Sequence, residues 1–137
     1  MIQSVDSVKL AEEISRQSVK NGVLTNVLIE VNIGREENKS GVMPEQLEEL
    51  LYNASQIDGI CVKGLMAIPP ICTEKSQICK YFENMHRIFI DISSKTIDNI
   101  SMDYLSMGMS DDYSEAIECG ANMVRVGSAL FGKRIYK

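Results

Sequence analysis

The stretch Asn26-Val27-Leu28-Ile29-Glu30-Val31-Asn32-Ile33 decides how this chain is read. It alternates as an extended strand does. Val27, Ile29, Val31 and Ile33 share one face, while Asn26, Leu28, Glu30 and Asn32 share the other. The first face is wholly apolar, and the second is mixed and charged. Strands of an open parallel sheet, buried on both sides, usually read as continuous apolar runs. In a (β/α)8 barrel, helices cover the outer face and the inner face can carry a site.

Outward from that strand, β-rich runs and helix-like runs alternate. Ile2-Gln3-Ser4-Val5 reads as a strand end, and Asp6 or Ser7 caps a helix to about Lys20, closed by Asn21-Gly22. A polar loop, Gly34 to Gly41, leads to a helix that starts near Pro44 and repeats Leu47, Leu50, Leu51, Ala54 and Ile57 at helical spacing. A strand over Ile60 to Ile68 ends at Pro69-Pro70. The longest amphipathic run follows, from about Glu74 to Ser93, with His86 at the edge of its apolar stripe as a structural histidine. The remaining elements are a strand over Tyr104–Met109, a helix over Asp111–Cys119, and a strand from Met123 to about Gly127. Ser128 to Gly132 forms a turn or short helix. Five strands in β–α order predict parallel pairing with helical crossovers. A whole barrel takes about 250 residues. The pattern alone therefore leaves two architectures, a barrel fragment and a small open sheet.

Composition narrows the function. With 45% hydrophobic and 24% charged residues, the chain is that of a globular domain. Its net charge of −5 and lack of a basic run argue against nucleic acid. No apolar run is long enough to span a membrane, and Met1-Ile2-Gln3-Ser4 has no signal-peptide character, so a cytoplasmic location is expected. Cys61, Cys72, Cys79 and Cys119 match no zinc spacing and, with one histidine, predict no metal site. They read as reduced thiols, with Cys61 and Cys119 buried and inert.

Three segments at strand ends carry chemistry, because parallel α/β folds place their sites there. In Ser106-Met107-Gly108-Met109-Ser110-Asp111-Asp112, Ser110 either caps the following helix or, with helix-start amides, holds an anion such as phosphate. In Met123-Val124-Arg125-Val126-Gly127-Ser128, the valines can face helices while Arg125 points inward, where a buried charge needs a partner. That partner is Glu30 or a ligand, and Gly127 with Ser128 suits a phosphate. In Gly64-Leu65-Met66-Ala67-Ile68, Met66 either fills core or packs on a flat ring. Lys39 reads as a solvated loop lysine.

These segments, with Val31-Asn32-Ile33, Asn38-Lys39-Ser40-Gly41 and the continuation Ala129-Leu130-Phe131-Gly132, closely resemble the pyridoxal phosphate homeostasis protein family. That family is itself similar to the barrel domain of alanine racemase. Order and spacing agree along essentially all 137 residues. The resemblance implies a partial (β/α)8 barrel with about five of eight strands, and pyridoxal 5'-phosphate as the cofactor. Arg125 would face the pyridine nitrogen; Ser110, Gly127 and Ser128 would hold the phosphate with Met109 beside it; Met66 and Asn32 would line the pocket. The family's cofactor lysine lies on an early strand, and none of the nine lysines here sits in that context. The expectation is a C-terminal barrel portion that lacks the earlier strands and binds the cofactor non-covalently at best. It would have two free sheet edges, an inner face open to water, and a tendency to self-associate or be complemented by the missing part.

The resemblance implies a non-catalytic carrier or regulator of pyridoxal phosphate. A racemase-type enzyme needs the lysine and an opposing acid/base, commonly a tyrosine, and no motif supports Tyr104, Tyr113 or Tyr136 in that role. A plain phosphate-binding or assembly module is the third reading.

Overall fold

Each capped or alternating run becomes an element in the computed structural model, which describes residues 1–132. The strands are β1 (Ile2–Val5), β2 (Thr25–Val31), β3 (Ile60–Ala67), β4 (Ile100–Met109) and β5 (Met123–Arg125). The helices are α1 (Val8–Lys20), α2 (Leu47–Ser55), α3 (Lys75–Ser93), α4 (Tyr113–Glu118) and α5 (Ser128–Phe131). Ser7 caps α1 by accepting the Leu10 N–H, and Ala11 and Ile14 become its buried stripe. α3 buries Ile78, Phe82, Met85 and Ile92, each stabilising the sheet contact by about 1.5–3 kcal/mol.

The sheet order is β1-β2-β3-β4-β5, and every pairing is parallel. When each strand pairs with its chain successor through right-handed crossovers, all helices fall on one side and the sheet curls. This is the half-barrel, and β1 and β5 are its edges.

The apolar core sits between sheet and helices. Val27, Ile29 and Val31 of β2, Leu65 and Ala67 of β3, and Leu105 and Met107 of β4 belong to it. Gly64 makes this possible. Its φ of +149° and a register shift between Val62 and Gly64 mark a bulge, and a Cβ there would lie 1.9 Å from the Tyr104 carbonyl oxygen. The bulge changes which residues face the core, from Ile60 and Val62 before it to Leu65 and Ala67 after it.

The opposite face is less open than expected. Glu30, Met66, Ser106 and Met123 pair in register as one row across β2 to β5. Glu30 is 5%, Met66 4% and Ser106 0% exposed. Gln3 of β1 reaches Ser106 Oγ at 2.7 Å and Met123 Sδ at 3.2 Å. In a flat sheet β1 and β4 would be roughly 14 Å apart, three strand spacings. Curling of the sheet therefore shields the centre of the inner face.

Boundaries also moved. A short 3-10 turn, Pro44–Gln46, precedes α2. β4 begins at Ile100 because Asn99, in the left-handed region, closes the turn before it and donates to the Ile60 carbonyl at 3.0 Å. α4 begins at Tyr113, and β5 ends at Arg125 because the Gly127 amide turns away to Ser110. Cys61 and Cys119 are half-exposed rather than buried. Cys61 lies at the rim of the sheet near the Asn99 carbonyl, and Cys119 ends a short helix.

Candidate functional site

β4 and β5 end side by side, with Met109 in register with Arg125. Arg125 points to the inner face, as the alternation with Val124 and Val126 predicted, but among the described residues its partner is neither Glu30 nor another acid. Its Nη1 donates to Ser106 Oγ at 2.7 Å, and its Nη2 donates to the Ala67 carbonyl at 3.0 Å. Ser106 in turn donates to Gln3 Oε1 at 2.7 Å, so its remaining lone pairs turn toward the guanidinium. Glu30 is occupied elsewhere, accepting from Ser40 Oγ at 2.7 Å. Burial pulls the Arg125 pKa below its usual value, while the more distant charges of Glu30 and Asp112 act in the opposite sense. The result is a half-buried cation fixed by neutral partners.

Beside it, Ser110 does not cap α4. Its Oγ accepts from the Gly127 and Ala129 amides, both at 3.1 Å, tying the β4–α4 loop to the start of α5. The Met109 amide donates to Asp112 Oδ1 at 2.6 Å, which turns that carboxylate back onto its own loop. A Cβ on Gly127 would meet nothing within 4 Å, so the space over these amides is clear. Ser128 is exposed, and its hydroxyl has no hydrogen-bond partner among the described residues. Its amide, at the first turn of α5, has no helical acceptor. The Ser128 amide and the hydroxyls of Ser110 and Ser128 lie just beyond the strand that carries the guanidinium, a donor set that fits a phosphate monoester attached to a flat ring. Met109 stands at the rim, 41% exposed.

Met66 forms the buried floor between Glu30 and Ser106. Asn32 is buried, but its carboxamide clamps the loop after β2, with Nδ2 donating to the Glu36 carbonyl at 2.8 Å and Oδ1 accepting from the Glu36 amide at 3.1 Å. The structure thus brings together Arg125, Ser110, Gly127, Ser128 and Met109, sets Met66 beneath them, and commits Asn32 to its loop. Sequence reading did not single out Gln3 or the Ala67 carbonyl. The only signal for Gln3 was a polar residue in an otherwise β-rich run. Tyr104 and Tyr113 are exposed, and Tyr136 lies outside the described residues.

Lys75 pairs with Glu115, Lys63 sits on Ser101 and Asp103, and Lys39 is exposed on the β2–α2 connection. Among the described residues no group of three or more metal-ligating side chains occurs. No described helix is long and apolar enough to cross a membrane.

The pyridoxal phosphate homeostasis protein of Aquifex aeolicus is 41% identical over 136 residues, covering 99% of this chain and 59% of the relative. Among solved structures, an unknown protein from Bifidobacterium adolescentis superposes with a TM-score of 0.89 at 37% identity, covering 95% of this chain and 52% of that one. PipY of Synechococcus elongatus with pyridoxal phosphate bound gives a TM-score of 0.84 at 30% identity, covering 96% of this chain and 60% of that one. The chain thus spans little more than half the length of these proteins. The family described as alanine racemase, N-terminal domain, matches residues 1–135, and the chain belongs to it.

Proposed function

We propose that this chain forms part of a pyridoxal phosphate-binding barrel that takes part in intracellular cofactor homeostasis and holds the cofactor reversibly, without catalysing a reaction of its own. The observation that carries this reading is Arg125, a half-buried cation held among the described residues by neutral groups, next to the Ser110–Gly127–Ser128 cluster. The likeness to PipY with pyridoxal phosphate bound, and to proteins named for pyridoxal phosphate homeostasis, supports it.

Each residue has a task that its placement allows. Ser110 and Ser128 would donate to the phosphate through their hydroxyls and the Ser128 amide, and Gly127, with no Cβ, would leave the approach clear. Arg125 would face the ring nitrogen and, as a cation, would oppose its protonation. Met66 and Met109 would pack apolar surface beside the ring and exclude water from it. When bound, the cofactor supplies an aldehyde and an electron-accepting ring, and an unprotonated ring nitrogen makes that ring a weak acceptor. This favours storage over catalysis. Among the described residues, Lys63 and Lys75 are paired with Asp103 and Glu115, which supports reversible rather than covalent holding. The free edges of β1 and β5 are where further β–α units, in the same chain or another, would pair to close the barrel.

The test is competitive binding. Pyridoxal phosphate should bind at least tenfold more tightly than inorganic phosphate, and Arg125→Ala should remove most of that preference, a loss of about 1.5–3 kcal/mol. Equal affinity for the two ligands, unchanged in the variant, would leave the plain phosphate-binding reading in place. Racemisation of alanine with added cofactor would restore the enzymatic one.

A further inference from the structure

Two of the four free thiols meet at a place the cofactor reading does not use. Cys79 lies in the second turn of α3, and Cys119 closes α4. Cys119 Sγ is 3.9 Å from the Cys79 carbonyl oxygen, which places the two cysteines against each other where α3 meets α4. The helices are seated against each other around this point. Gly120, just after Cys119, has a φ of +102°, and a Cβ there would stand 2.9 Å from the His86 ring of α3. The α4–β5 turn therefore rides directly on α3. With the Cys119 sulfur this close to the Cys79 backbone, χ1 rotation can turn the two sulfurs toward each other and toward the disulfide length of about 2.05 Å.

We infer that Cys79 and Cys119 are a disulfide-forming pair, oxidised by a peroxide, that staples α3 to α4. The Cys79 thiolate attacks a peroxide oxygen, breaking the O–O bond and releasing water (hydroxide plus a proton) as a sulfenic acid forms. The Cys119 sulfur then attacks the Cys79 sulfur. The S–O bond breaks, and the departing hydroxide takes the Cys119 proton as a second water. Two thiols lose two electrons, and one peroxide gains them. Burial, with the neighbouring Cys79 next in weight, pushes the Cys119 thiol up to about 11, so Cys119 keeps its proton at neutral pH and acts second. Both cysteines are half-exposed, so a small oxidant can reach them.

The experiment treats the purified protein with hydrogen peroxide, then denatures it and labels remaining thiols with a maleimide for intact mass and peptide mapping. The expected product is a monomer that has lost two of its four labelling sites, with Cys79 joined to Cys119. A Cys61→Ser/Cys72→Ser double variant should lose both of its remaining sites. Cys119→Ser should instead accumulate sulfinic acid at Cys79. A bond involving Cys61 or Cys72, a cross-link between two chains, or sulfinic acid at Cys79 in the unaltered protein would overturn the inference. So would full retention of all four thiols.

Discussion

Lys63 and Arg125 both stand on sheet faces turned away from the helical core, and they differ in what holds them. Lys63 lies 3.1 Å from Ser101 Oγ and 3.4 Å from the Asp103 carboxylate, and Ser101 also donates to that carboxylate. Its charge is balanced on the spot. Arg125 is held by a serine hydroxyl and a backbone carbonyl, while Glu30 accepts from Ser40. Its geometry is fixed, but among the described residues no acid neutralises its charge by contact. A cation paired with its own acid stabilises a strand locally, whereas one oriented by neutral acceptors retains the capacity to attract an anion or face a ring nitrogen. Position agrees with this difference, because Lys63 lies in the first half of β3 and Arg125 at the last residue of β5.

The bulge at Gly64 separates the two environments, and removing it should have the largest effect. Gly64→Ala places a Cβ 1.9 Å from the Tyr104 oxygen at a φ of +149°, so the β3–β4 pairing must open. A loss of at least about 3 kcal/mol in urea denaturation is expected, enough to abolish cooperative unfolding in a marginal domain. A wild-type transition would mean that the strand changes its facing without the bulge.

Ser106→Ala sharpens the comparison from the other side. It removes the acceptor of Arg125 Nη1 and leaves Gln3 without its donor, in a place that is 0% exposed. About 1–3 kcal/mol of stability should be lost. Pyridoxal phosphate should bind several-fold more weakly while inorganic phosphate binds as before, since only the guanidinium loses its support. Equal weakening of both ligands would assign Ser106 to general packing.

Much of the fold was legible because periodicity is a local signal. The alternation of Asn26–Ile33 and the helical stripes of α1, α2 and α3 carry the β–α order, and Arg125 between two valines announced its direction. Partners were not legible. The Arg125–Ser106–Gln3 chain joins three strands and depends on a register and a curl that no single segment encodes. Asn32 shows the same limit at short range, because alternation does not encode the hydrogen bonds its amide makes to the Glu36 backbone four residues on. Ser110 likewise left the helix it precedes for amides that come from beyond β5.

Smaller effects belong to the balanced cations. Lys63→Met should change stability by no more than about 1 kcal/mol and leave ligand binding untouched, because its pair is partly solvated. A clear loss of pyridoxal phosphate binding would erase the distinction between the two cations. Lys75 offers a pH test of the same kind. Its ammonium, followed by the Ser114 hydroxyl, holds the Glu115 carboxyl at about 2, below its ordinary value of 4.5. The unfolded chain therefore binds the proton first, and the pair's stabilisation is present above about pH 4.5 and lost as pH falls toward 2. The melting-temperature gap between wild type and Glu115→Gln should close across that window. A gap constant with pH would show that the ion pair contributes nothing.

The central claim is that this chain binds pyridoxal phosphate through Arg125 and the Ser110–Gly127–Ser128 cluster without a covalent anchor. An absorbance titration with pyridoxal phosphate, followed by borohydride reduction and intact-mass measurement, tests it directly. Saturable binding that leaves the protein mass unchanged after reduction is the predicted result. A stoichiometric mass increase would contradict the claim by showing that one of the lysines serves as an anchor, and absence of saturable binding would contradict the site itself.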